Sequence, residues 1–69
     1  MDNVKNRELK ASRIRLGMTQ KDVAKLIGIG ETSYVHRENG KHDFSVMQLR
    51  KLKVALKLTN EQIINIFFE

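Results

Sequence analysis

Few side chains in this sequence have the type and spacing that catalysis or metal binding requires. Ser33 and His36 lie three residues apart, as neighbours on one helix face do, and could form a nucleophile–base pair. We find no acidic residue placed to orient the histidine and no oxyanion donors. His36 and His42 lie six residues apart in a chain without cysteine, which argues against structural zinc. The sequence therefore predicts a non-enzymatic protein with no metal and no cofactor.

The glycines at the centre of the chain do not indicate a nucleotide site either. Gly28-Ile29-Gly30 lacks the preceding strand that a dinucleotide-binding loop needs. We therefore expect no small-molecule substrate.

The charge of the chain favours binding rather than catalysis. Its 69 residues carry a formal net charge of +5, with a pI near 9.9. Such a bias favours a polyanionic partner such as DNA or RNA, although small proteins are often modestly charged without one. The polar first ten residues resemble no secretory leader, and no apolar run approaches the ~18 residues of a membrane span. We expect a cytoplasmic protein that makes no contact with a membrane.

The elements that must position any binding residues are predicted to be helices. The chain has no proline, and its four glycines divide it into helix-length pieces within one domain, residues 1–69. The predicted helices cover about 3–16, 20–27, 31–38, 45–57 and the residues after Thr59. Thr19 with Asp22, and Thr59 with Gln62, have the spacing of capping boxes. The fold class is therefore all-α, with five short helices.

Apolar residues at three- and four-residue steps give each helix an inner face. The predicted inner positions are Val4, Leu9, Ser12, Arg13 and Leu16; Val23, Ala24 and Ile27, with Leu26 as a further candidate; Tyr34, with Arg37 as a further candidate; and Val46, Leu49, Leu52, Ala55 and Leu56. The fifth helix carries Ile63, Ile64, Ile66, Phe67 and Phe68. That end is either a core helix with a frayed terminus or an apolar patch that a partner or second copy covers.

The second and third helices have the spacing of a helix-turn-helix. Ala24 is small enough to let another helix cross closely, and Gly28 supplies a backbone angle that a side chain would resist. Apolar residues before and after this bend can hold the two helices together, which leaves the second one free to enter a groove.

Four segments make a more specific resemblance. The stretches "RIRLGMTQ", "VAKLIGI", "RENGK" and "SVMQLRKLKVALKLT" occur in that order, followed by a capped helix. Over roughly residues 7–66 the chain resembles the phage repressor/Cro-type helix-turn-helix domain, the lambda-repressor-like fold. The resemblance implies a helix-turn-helix at about 20–38, with residues 31–38 as the recognition helix.

The resemblance also implies which side chains contact double-stranded DNA. These are Thr19, Gln20, Gly30, Glu31, Thr32, Ser33, His36, Lys41 and His42. Thr19, Lys41 and His42 correspond to phosphate-contacting positions, and Gln20 to one that reaches the backbone or a base edge. The recognition-helix positions correspond to those that read bases, and Glu31 could accept a hydrogen bond from cytosine N4. Thr32 and Ser33 could equally be polar residues of a helix start, and His36 a solvated surface histidine.

Arg13 and Glu38 have a different role in this resemblance. They correspond to an arginine and a glutamate that form a largely internal ion pair, so we expect both to be structural.

The function expected from these features is sequence-specific regulation of transcription. The chain would be a phage- or plasmid-type repressor or Cro-like switch protein in a bacterial cytoplasm or nucleoid, acting as a homodimer that occupies operator DNA. The alternative is an antirepressor or modulator with the same fold that binds a partner repressor. It would use the helix-turn-helix face or the patch of Ile63, Ile64, Phe67 and Phe68.

Overall fold

The computed structural model describes the backbone of residues 4–68 and the side chains of residues 7–66. Within that range the chain forms five α-helices and no strand, which confirms the predicted all-α class. They are α1 (Val4–Arg15), α2 (Gln20–Ile27), α3 (Glu31–Glu38), α4 (Val46–Ala55) and α5 (Asn60–Phe68). None of these helices is long and apolar enough to cross a membrane.

Capping boxes define the start of three of the helices. In each box the hydroxyl of a serine or threonine accepts a hydrogen bond from a backbone N–H, and the side chain three residues later accepts one in return. The pairs are Thr19–Asp22 before α2, Ser45–Gln48 before α4 and Thr59–Gln62 before α5. The boxes predicted at Thr19 and Thr59 are confirmed.

The end of α4 differs from its prediction. The helix stops at Ala55, two residues before the expected end, and the chain turns through Lys57 at a φ of 54°. Other turns of this kind have glycine at positive φ, including Gly17 at 71° and Gly40 at 85°. A lysine in this left-handed region gives no sequence signal for a helix end.

The core lies where α2 crosses α3 and α4, and where α1 packs against α5. It comprises Leu9, Val23, Ala24, Ile27, Tyr34, Leu49, Leu52, Leu56, Leu58 and Ile66. Phe44 packs at its edge, with its ring centroid 6.0 Å from that of Tyr34. Most predicted inner positions are therefore in the core or next to it.

Three predicted inner positions are wrong. Leu16 follows the last residue of α1 and lies exposed in the turn to Gly17. Leu26 is exposed because the adjacent Ile27 occupies the inward position on α2. Val46 is the first residue of α4 and is exposed one turn before the buried Leu49. The side chain of Val4 lies outside the described residues.

Candidate nucleic-acid interface

A buried cluster of polar side chains fixes the C-terminal end of α3. Glu38 accepts hydrogen bonds from Arg13 Nε at 2.9 Å, Arg13 Nη2 at 3.1 Å and the Tyr34 hydroxyl at 2.7 Å. Gln20 Nε2 donates a further bond to Glu38 Oε1 at 3.1 Å. Arg13 also donates to the Met18 carbonyl at 2.8 Å, in the segment between α1 and α2. One carboxylate therefore ties together α1, α2 and α3.

The protonation states of this cluster suit its hydrogen bonds. The hydrogen bond to Glu38 raises the pKa of Arg13, so the guanidinium stays charged although the residue is buried. Burial, followed by the hydrogen bond to Glu38, raises the pKa of Tyr34 well above its usual value. Tyr34 therefore keeps the proton that it donates to the carboxylate.

The bend before α3 leaves the first turn of that helix without a side-chain cap. Gly28 has a φ of 78°, and its N–H points to the carbonyls of Ala24 and Lys25. Gly30 then begins α3 in an extended conformation with no side-chain hydrogen bond to the helix. The first N–H groups of α3 therefore have no side-chain acceptor of the kind that starts α2 and α4.

The predicted base-reading residues differ in their freedom to contact a ligand. Gly30, Glu31 and Thr32 are exposed, whereas Ser33 and His36 are half-buried. Arg37 Nη1 donates to both the Ser33 hydroxyl and the Ser33 carbonyl. Ser33 is therefore partly engaged by its own helix.

The segment after α3 brings two further predicted residues close to the recognition helix. The backbone N–H of Lys41 donates to the His36 carbonyl at 2.8 Å. The ring of His42 lies 5.8 Å from the ring of His36, measured between centroids. Lys41 and His42 are both exposed.

Thr19 and Gln20 sit at the start of α2 but face different surroundings. Thr19 is exposed, and its hydroxyl caps the helix. Gln20 is half-buried, with its amide nitrogen bonded to Glu38. Sequence reasoning missed this link because it joins residues 18 positions apart through the crossing of α2 and α3.

The proposed apolar patch on α5 is only partly compatible with the structure. Ile63 is half-buried and packs against the core, so it does not form an exposed patch. Its place follows from the helical period, since the buried Ile66 lies three residues further on. Ile64 is exposed, and the side chains of Phe67 and Phe68 lie outside the described residues.

The described residues contain no cluster of three or more His, Cys, Asp or Glu side chains that could hold a metal ion.

The chain matches one family model, described as helix-turn-helix, over residues 9–63. The match begins within α1 and ends within α5, so it includes every residue of the Glu38 cluster. No curated protein matches the chain. No solved structure matches it either.

Proposed function

We propose that this chain, which belongs to the Cro/C1-type helix-turn-helix family of DNA-binding transcription regulators, is a repressor- or Cro-like switch protein that acts by occupying operator DNA. A domain of this kind can regulate without effector activity, because a bound regulator blocks or redirects a promoter by its presence. A phage- or plasmid-type switch is the biological setting that fits this mode of action.

The observation that carries the proposal is the attachment of α3. Tyr34 and Glu38 hold one side of this helix in the buried cluster, whereas Thr32 and His36 lie one turn apart on the opposite side. A helix that is fixed on one side and polar on the other can enter a major groove without rearranging. Rigid attachment favours affinity because little conformational entropy is lost on binding.

The proposed contacts divide into two kinds. Glu31, Thr32 and His36 would read base edges, whereas Lys41 and His42 would bind phosphates. The exposure of Glu31, Thr32, Lys41 and His42 supports these assignments.

The remaining predicted residues would position the helices on DNA rather than contact base edges. The backbone amide at Gly30, and Thr19 at the start of α2, lie at helix N-termini, which favour phosphate. Gln20 would orient α2 through Glu38, and Ser33 would act through its bond to Arg37.

The dimensions of the domain suit binding as a homodimer. Its longest extent is 25 Å. Successive major grooves on one side of B-DNA are about 34 Å apart. Two copies can therefore occupy neighbouring half-sites of a palindrome without overlapping.

The proposal can be tested by selection from random duplex DNA at physiological salt. The selected sequences are then titrated by fluorescence anisotropy. We expect a palindromic motif that binds about 10³-fold or more tightly than random DNA. The absence of enrichment would contradict the proposal and favour a role in binding another regulator.

Glu31→Gln tests whether α3 reads bases. We expect a changed preference at one base position per half-site. The carboxylate can only accept hydrogen bonds, as from cytosine N4, whereas the amide can also donate them. Glu61→Gln, an exposed carboxylate on α5, is the matched control and should leave the motif unchanged. An unchanged motif for both variants would remove Glu31 from the base-reading set.

Lys41→Ala tests the phosphate contact. The dependence of log K on log salt should become shallower by about one unit, because one fewer counterion is released. Lys10→Ala, an exposed lysine on α1, should leave the slope unchanged. A slope that is the same in both variants would argue against the assignment of Lys41.

A further inference from the structure

An apolar groove lies between α2 and α4, apart from the residues proposed to contact DNA. Its volume is about 450 Å³, and it is lined by Leu26, Met47, Arg50, Lys51, Val54 and Ala55. Leu26 is 56% exposed, Met47 63% and Val54 79%. These side chains keep most of their apolar surface in water, at a cost that a bound apolar partner would remove.

Helix α4 is apolar on two sides. Leu49 and Leu52 bury one side in the core, whereas Met47 and Val54 lie exposed in the groove. Single exposed apolar residues are ordinary on protein surfaces, whereas a cluster that lines one groove is a candidate interaction site.

The border of the groove is strongly basic. Arg50 and Lys51 belong to its lining, and the sequence contains no acidic residue between Asp43 and Glu61. Lys51 reaches across to the bend between α2 and α3, where its Nζ would lie 3.7 Å from a Cβ on Gly28. Within the described part of the chain, neither Arg50 nor Lys51 forms an ion pair.

We propose that this groove binds an acidic amphipathic helix of another protein. The partner's apolar side chains would contact Leu26, Met47 and Val54, and its carboxylates would pair with Arg50 and Lys51. A groove between two helices suits a helix that places side chains at i, i+4 and i+7 along it. The ten residues of α4 extend about 15 Å, which matches roughly three turns of such a partner.

The combination of charge and apolar surface selects this partner over DNA. Phosphates would pair with the two cations but would leave Met47 and Val54 in water. A partner helix that carries both leucines and glutamates uses the apolar floor and the basic border together. The groove and the proposed DNA-binding residues have no side chain in common, so both sites can be tested separately.

A set of synthetic peptides tests the chemistry of the groove. The probe is a fluorescein-labelled peptide of about 14 residues, near the minimum length for a helix in water, with leucines on one face and alanines and glutamates elsewhere. One control replaces every glutamate with lysine, and another keeps the composition but scatters the leucines. We expect the acidic amphipathic peptide to bind with a Kd on the order of 100 µM or tighter, and both controls to bind at least tenfold more weakly.

Two variants locate the binding. Val54→Glu should weaken peptide binding at least tenfold, because it places a carboxylate on the apolar floor of the groove, where a bound acidic peptide would bury and repel it. Ile14→Glu changes an exposed apolar residue on α1, 56% exposed against 79% for Val54, and should leave the affinity unchanged. Thermal unfolding of each variant checks that the fold persists, which the 79% exposure of Val54 favours.

Amide chemical-shift mapping and sedimentation separate the other outcomes. Shifts confined to α2 and α4 support the proposal, whereas shifts centred on Glu31–His36 would mean that the peptide imitates DNA and would overturn it. Equal binding of the lysine peptide, or no binding at millimolar concentration, would also overturn it. A dimer that Val54→Glu dissociates would instead make a second copy the occupant of the groove. The same variant should leave DNA affinity within twofold, so failure of this proposal is distinguishable from failure of DNA binding.

Discussion

The two ends of α3 carry the same residue type in opposite environments. Glu31 and Glu38 are seven residues apart, which places them two turns apart on nearly the same line along the helix. Glu31 is exposed, whereas Glu38 is 3% exposed and accepts four hydrogen bonds. The helical period cannot distinguish these two residues. Neighbouring helices make the difference, because Arg13 and Gln20 reach one end of α3 only.

This contrast separates stability from recognition within a single helix. The C-terminal end is fixed by partners from α1 and α2, while the N-terminal end has neither a side-chain cap nor an ion pair among the described residues. Mutations at the two ends should therefore change different measurements.

Glu38→Ala should cause the largest loss in the free energy of unfolding and so test the difference between the two ends of α3. Removing the carboxylate leaves the Arg13 charge and the Tyr34 hydroxyl buried without their partner, at a cost of about 3–5 kcal/mol. Urea denaturation followed by far-UV circular dichroism measures the loss. Glu31→Ala is the matched control and should change the free energy of unfolding by less than about 0.5 kcal/mol. An equally small loss of unfolding free energy in Glu38→Ala would mean that the cluster contributes little to stability.

The pH dependence of unfolding should show the Tyr34 contribution. Its pKa is raised in the folded state, so between about pH 10 and that higher value the unfolded chain binds fewer protons than the folded one. The free energy of unfolding should therefore fall as the pH rises above 10, by up to about 1.4 kcal/mol per pH unit.

Tyr34→Phe isolates this slope, because Tyr34 is the only tyrosine in the sequence. The variant should lose about 2 kcal/mol at neutral pH and should lack the additional alkaline slope. All other titratable groups are common to both proteins, so the difference between the two curves reports Tyr34. Parallel curves above pH 10 would contradict its role as a donor to Glu38.

Gly30→Ser should cause the smallest change in stability, at the uncapped N-terminal end of α3. Gly30 has an extended backbone with a φ of −69°, and a Cβ there would meet nothing within 4 Å. Serine should cap α3 and reduce the entropy of the unfolded chain, so we expect a gain of about 0.5 kcal/mol in thermal unfolding. Gly30→Ala serves as the control that adds a Cβ without a capping oxygen. A loss of stability with serine would show that the start of α3 requires glycine.

Most of the fold could be predicted because its signals are local. Thr19 with Asp22 marks the start of α2, and Thr59 with Gln62 marks the start of α5, within three residues each. The end of α4 could not be predicted in the same way, because Lys57 adopts a conformation that usually indicates glycine.

The candidate site could be predicted only in part. The pairing of Arg13 with Glu38 followed from family resemblance, and the structure contains it. The bonds from Gln20 and Tyr34 to the same carboxylate were not anticipated. Gln20 has a long polar side chain that suits either DNA or a buried acceptor, and the choice depends on how α2 crosses α3. The groove beside α4 was also missed, because Leu26, which lines it, fits a buried pattern by period although it is exposed.

The packing of α1 against α5 has a consequence for how the chain folds as it is synthesised. Gln62 Nε2 donates to Glu8 Oε1 at 3.0 Å, and Leu9 and Ile66 belong to the same core cluster. Because the ribosome releases α1 before α5, the side of α1 that α5 covers stays exposed to solvent until α5 has emerged. A nascent chain that stops before Ile66 should therefore remain sensitive to protease, and protection should arise in one late step rather than helix by helix.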